Sequence, residues 1–150
     1  MKDESQVQEG KVFLDSNILV YFVDGQDPKK QKIAQDLIAK SVRMKNGVLS
    51  TQSLQEFYSV VTKKSLCAKE EAKIIIEKFR NTLPITQISV QHILKAIDIS
   101  IQTQFSFWDS LIVSAAHTSG CVIVYSEDMS HNQLVNGVKI INPFINEVTP

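Results

Sequence analysis

Most of the sixteen acidic residues of this chain fall on predicted helix surfaces or in its tail. Four do not. Asp15 ends the first apolar run, and Glu56 lies in the first turn of the helix predicted after the second. Asp109 opens a helix after Phe105, and Asp128 follows the run that ends at Tyr125. Three of the four mark the C-terminal end of a predicted strand or the helix just beyond it. Asp109 joins them if its helix starts on the same side. In an open α/β sheet, ligands bind outside the carboxyl ends of the strands. Carboxylates converging there repel one another unless a cation is present, and hard cations such as Mg²⁺ and Mn²⁺ take oxygen ligands. Such an ion makes a bound water more acidic and stabilises charge building on a phosphate. The pattern therefore points to metal-assisted hydrolysis of a phosphodiester. Asn17 and Ser126 stand beside two of the acids, where they are placed to orient them or to hold a water.

Each residue also has a plainer reading. Ser53 and Glu56 fit the capping-box spacing, and so do Ser106 and Asp109, so either acid would then only cap its own helix. Asp15, Ser16 and Asn17 also suit a turn with side-chain-to-backbone hydrogen bonds. Taken alone, Asp128 reads first as a solvated loop residue. These readings must hold independently at four comparable positions, which lowers their joint weight. Trp108 is read as a core residue ahead of a base-stacking platform. Lys63 and Lys64 are read as helix-end charges favouring the macrodipole ahead of phosphate contacts. His92, His117 and His131 show no ligand spacing and no nucleophile to serve, and no glycine-rich phosphate loop is present.

The elements that must position these residues alternate between short apolar runs and longer helical patterns. That alternation argues for α/β with a mostly parallel sheet. Strands are expected at Lys11 to Leu14, Val48 to Ser50, Ile85 to Ile88, Cys121 to Tyr125 and Val138 to Ile141. Asp27-Pro28 opens a helix as N-cap and first helical residue, and Asn46-Gly47 closes it. Further helices are expected from about Ser53, over Ala68 to Thr82 and from Val90 to Ile101, and Phe105 to Trp108 leads into a last one through Ala116. One domain over 11–144 is expected, with loose ends at 1–10 and 145–150.

Composition closes off several other classes. With 150 residues, 43% hydrophobic and 21% charged, the chain carries enough apolar material for one full core. Sixteen basic residues balance sixteen acidic ones, which disfavours a strongly basic nucleic-acid clamp or a polybasic membrane binder. A metal-dependent nucleic-acid enzyme survives that test, because the ion brings its own positive charge. Only two arginines are present, so lysines or a partner subunit would have to grip a polyanion. Cys67 and Cys121 have no CxxC partner and read as reduced core thiols. No signal-peptide pattern and no membrane span is found, and a cytoplasmic location is expected.

Four segments carry a resemblance to a known family. Phe13-Leu14-Asp15-Ser16-Asn17-Ile18-Leu19-Val20-Tyr21 is similar to the opening motif of the PIN-domain nucleases. Leu49 through Phe57, including Glu56, resembles their second acidic motif. Phe105 through Ile112 with Ser114-Ala115-Ala116 resembles the third, and Val124 through Met129 the fourth. The closing Ile141-Asn142-Pro143-Phe144 is also usual there. Order and spacing agree from about Lys11 to Phe144, and within the family the chain looks most like the VapC-type toxins. The resemblance implies a three-layer fold with a mainly parallel five-stranded sheet, the first strand central, and helices on both faces. It implies an endoribonuclease dependent on Mg²⁺ or Mn²⁺, with Asp15, Glu56 and Asp109 as metal ligands and Asp128 as the fourth acid. Asn17 and Ser126 fall where the family commonly has Asn and Thr or Ser. A homodimer and a cognate antitoxin covering the site are implied as well. The pattern leaves open whether Glu127 or Asp128 faces the metal.

Two rivals are weighed. One is a non-catalytic PIN-like interaction module. The other is a different Mg²⁺ α/β domain, but a dehalogenase-type phosphatase needs an Asp where Asn17 stands, and a phosphoreceiver needs an acidic neighbour that Asp15 lacks.

Overall fold

The structure is a computed structural model that describes residues 10–145; of the expected loose ends at 1–10 and 145–150, residues 1–9 and 146–150 lie outside the described residues. The strands are β1 (Lys11–Leu14), β2 (Gly47–Ser50), β3 (Ile85–Thr86), β4 (Cys121–Tyr125), β5 (Leu134–Val135) and β6 (Val138–Ile141). The helices are α1 (Ser16–Val23), α2 (Pro28–Arg43), α3 (Thr51–Lys63), α4 (Lys69–Thr82), α5 (Val90–Gln102) and α6 (Phe107–Thr118). The strands form one sheet in the order β3-β2-β1-β4-β6-β5, parallel except for the β5–β6 pair.

Successive side chains of a strand point to opposite faces of its sheet. Phe13 and Leu14 are both fully buried, and they enter two different cores. Val48 and Leu49 on β2 divide in the same way, as do Val124 and Tyr125 on β4. A strand buried on both faces has a helical layer on each side. On one side α1 to α4 contribute Ile18, Leu19, Ala34, Phe57, Val61 and Phe79. On the other, α5 and α6 contribute Ile99, Ile112, Val113, Ala115 and Ala116. This is the three-layer PIN-like fold with the first strand central.

Several details differ from the sequence expectation, and β3 stops at Thr86 rather than Ile88. A sixth, two-residue strand, β5, pairs antiparallel with β6 and ends the sheet. Helix α1 was not expected: its residues Ile18 to Val23 are apolar without interruption, so they carry no helical period. Asp15 caps it by accepting from Ser16 N at 2.7 Å. Helix α2 ends at Arg43, and the left-handed residue after it is Lys45 (φ 56) rather than Gly47. Gly47 opens β2, where a Cβ would lie 2.7 Å from Ser41 Cβ and 2.9 Å from Leu83 Cδ2. Crowding, not a helix cap, requires glycine there. Helix α3 begins at Thr51, two residues earlier than expected, and its N-cap is Ser50 with Ser53 as reciprocal partner. Both cysteines are buried and unbonded to each other. Among the described residues no helix is long and apolar enough to cross a membrane.

Candidate active site

The sheet brings four acids from distant parts of the chain to one cavity of about 370 Å³. Asp15, Glu56, Asp109 and Asp128 line it, together with Gln52 and Trp108. Asp15 sits where β1 gives way to α1, with its backbone N–H donating to Tyr125 O of β4 at 3.0 Å. Glu56 projects from the second turn of α3. It is therefore no helix cap, since Ser50 and Ser53 perform that role. Asp109 lies in the first turn of α6, whose N-cap Ser106 accepts from Asp109 N at 3.1 Å. Asp128 follows β4 by three residues.

Asp15 is only 4% exposed. Burial pushes its carboxyl up to about 6, Glu56 and Asp128 push the same way, and hydrogen bonds from Ser126 and Ser16 N oppose them. Ser126 Oγ donates to Asp15 Oδ2 at 2.7 Å, and Asn17 Nδ2 reaches the same oxygen at 3.3 Å. Asn17 Nδ2 also lies 3.1 Å from Asp128 Oδ2. Burial raises Asp109 too, with Asp128 and then Glu56 adding to it. The acids thus feel one another, as groups kept for a cation do.

The side chain of Glu127 turns away from this cavity. It accepts from Tyr21 Oη at 2.8 Å and is ion-paired and hydrogen-bonded to Lys30 Nζ. Its backbone N–H donates to Asn17 Oδ1 at 3.1 Å. Lys30 also lies 5.0 Å from the centre of the Tyr21 ring, which packs edge-on against Phe144. Asn17 therefore holds both Asp128 and the Glu127 backbone, so the two acids diverge from one clamp.

Two participants have no part in the sequence expectation. Ser16 Oγ donates to Glu56 Oε1 at 3.0 Å. Gln52 Nε2 donates to Glu56 Oε2 at 3.2 Å and to Trp108 O at 3.3 Å. Gln52 stands four residues before Glu56 on α3, a spacing that puts them on one helix face and was available as a signal. Trp108, expected in the core, is instead 62% exposed.

Among the described residues no three His, Cys, Asp or Glu side chains lie close enough to form a ready-made metal cage. The donor chemistry nevertheless fits a hard divalent cation. Every acid at the cavity offers oxygen, and Gln52 Oε1 is buried there without a hydrogen-bond partner. Bringing the carboxylates closer without a cation would add repulsion between like charges already felt at Asp15.

Comparison with known proteins agrees with this architecture. A family model described as PIN domain matches residues 12–135, a span that contains all four acids. No curated protein sequence matches. Among solved structures, VapC20 of Mycobacterium tuberculosis, a sarcin–ricin loop cleaving toxin, superposes with a TM-score of 0.63 at 15% identity, over 79% of this chain and 90% of that one. VapBC2 of Rickettsia felis, bound to a promoter DNA fragment, gives 0.63 at 17%, over 86% and 96%. DNA-bound VapBC of Salmonella typhimurium gives 0.65 at 16%, over 87% and 96%. At such identities the likeness is one of fold.

Proposed function

The chain belongs to the PIN-domain family, and from that premise we propose that it is a metal-dependent endoribonuclease, a VapC-like toxin neutralised by a cognate antitoxin. The observation that carries this reading is the single cavity shared by Asp15, Glu56, Asp109 and Asp128. Asp15, Glu56 and Asp109 are the residues that would hold Mg²⁺ or Mn²⁺, with Asp128 as the fourth acid. Such an ion supplies a more acidic water and neutralises charge building on the phosphate. Ser126 and Asn17 orient Asp15 through the hydrogen bonds described above, and the Ser126 bond also favours its ionised form. Ser16 and Gln52 fix both oxygens of Glu56. Asp128, tethered by Asn17, faces the cavity where an attacking water would be oriented.

The RNA substrate is supported by the sarcin–ricin loop cleavage of the Mycobacterium tuberculosis neighbour, and the antitoxin by the VapBC assemblies. A homodimer belongs to the same proposal. The test is cleavage of a mixed single-stranded and structured RNA pool with Mg²⁺, Mn²⁺ or chelator, comparing the parent with Asp109→Asn. Cutting that requires both metal and Asp109 is expected. A folded chain that neither cuts nor binds metal would leave the non-catalytic interaction module as the better reading.

A further inference from the structure

Trp108 is the only tryptophan in the chain, and it stands in water immediately before Asp109. A large indole gains most when buried, so exposure at the rim of an acid-lined cavity leaves a considerable apolar surface unused. The residue is also held in place. Its carbonyl accepts from Gln52 Nε2, and its ring packs edge-on against Phe107 with centroids 5.1 Å apart. The carboxylates beside it repel a polyanion, so grip at this rim has to come from contacts that carry no opposing charge.

Resting on the nuclease reading above, we propose that Trp108 is the platform on which an unpaired base of the RNA stacks beside the cleavage site. Every base has a π-face, so such a platform holds a strand without choosing its sequence. A base inside a duplex has its faces covered by neighbours, which makes single-stranded or loop RNA the substrate class. A second cleft shares Ser16, Val60 and Asp128 with the acid cavity and carries Lys64. Glu56, Val60 and Lys64 follow one another at four-residue steps along and just past α3, on one helix face. The strand therefore runs from Trp108 across the carboxylates to Lys64, whose ammonium meets a backbone phosphate.

Because Trp108 is the sole tryptophan, its fluorescence reports this position alone. The full chain carrying Asp109→Asn is titrated with a single-stranded oligoribonucleotide and with an abasic strand of equal length. Steady-state cleavage by the parent, Trp108→Ala and Trp108→Phe is measured alongside. The base-bearing strand is expected to quench the emission and the abasic strand to leave it. Trp108→Ala is expected to raise KM roughly 5- to 150-fold, the loss of one base–aromatic stack, with kcat near the parent value. Trp108→Phe is expected to recover part of that loss. Equal quenching by both strands, or an unchanged KM in Trp108→Ala, overturns the platform while leaving the nuclease intact. A parent that cuts no RNA, together with an Asp109→Asn chain whose emission no strand quenches, overturns both readings. The fluorescence arm keeps Trp108 in place, so it decides the matter even if Trp108→Ala folds poorly.

Discussion

Ser126 Oγ donates to Asp15 Oδ2 across 2.7 Å, and both residues are buried. Ser126 Oγ itself accepts from Asp128 N at 3.2 Å, so one hydroxyl ties two of the four acids together. Ser126→Ala removes the strongest opposition to Asp15's burial. The expected outcome is a loss of about 1–3 kcal/mol in stability and an Asp15 carboxyl that titrates still higher. Denaturant melts and carboxyl NMR titration check the two parts. An unmoved Asp15 titration would show that Ser126 is not its principal donor.

Stability should carry the mark of Asp15's titration. Its carboxyl titrates near 6 in the folded chain against an ordinary 3.8, so the folded state binds protons more readily in that interval. The favourable contribution is complete below 3.8 and is lost as pH rises through 6. Asp15→Asn cannot lose it. From pH 4 to pH 7.5 the metal-free stability difference should therefore shift toward Asp15→Asn, by on the order of 3 kcal/mol at most. Paired thermal melts across that range read the shift, and a pH-independent difference would contradict it. Mn²⁺ should restore the parent selectively.

Glu56 is held by Ser16 and Gln52 but does not cap α3. Glu56→Gln keeps an acceptor for Ser16 and removes a charge that acts on Asp15 and Asp109. The metal-free mutant should melt at or above the parent's temperature. It should also lose the rise in melting temperature that Mg²⁺ or Mn²⁺ gives the parent. Calorimetry with and without metal reads both; a clear drop in the metal-free mutant would return Glu56 to a structural role.

Adjacent acids should behave differently. Glu127 is committed to Lys30 and Tyr21, whereas Asp128 faces the cavity. Asp128→Asn is expected to lower kcat/KM roughly 10- to 100-fold, the range seen when groups around a metal site are altered. Glu127→Gln should leave metal-dependent cleavage near the parent level and lower stability by at most about 1 kcal/mol, because its ion pair is partly exposed. The reverse ranking in a cleavage assay would reassign the fourth acid.

Much of this was legible in the chain itself. Apolar runs such as Cys121 to Tyr125 announce strands because a strand buried on both faces needs apolar residues at every position. Acids at the ends of such runs, or on the helix just beyond, fall on one edge of a parallel sheet, which groups Asp15, Glu56 and Asp128; Asp109 joins them only through the side on which α6 starts. The resemblance to the PIN-domain motifs follows from the same order and spacing. Helix α1 was not legible, because six consecutive apolar residues have no period to read.

Tertiary structure alone decided the rest. Spacing offers Ser53 and Glu56 as a capping box, yet Ser50, the last residue of β2, takes the capping position, and Ser53 Oγ also donates to Leu14 O of β1. Glu127 and Asp128 are indistinguishable by type and neighbourhood. Only the arrival of Lys30 and Tyr21 from α2 and α1 turns one of them away. Trp108 carries the composition of a core residue, and its exposure depends on where α6 meets the cavity rim. Local patterns determine which elements form, because propensity and periodicity act over a few residues. Which side chain faces the cavity depends on partners up to 111 residues away along the chain, as for Ser126 and Asp15.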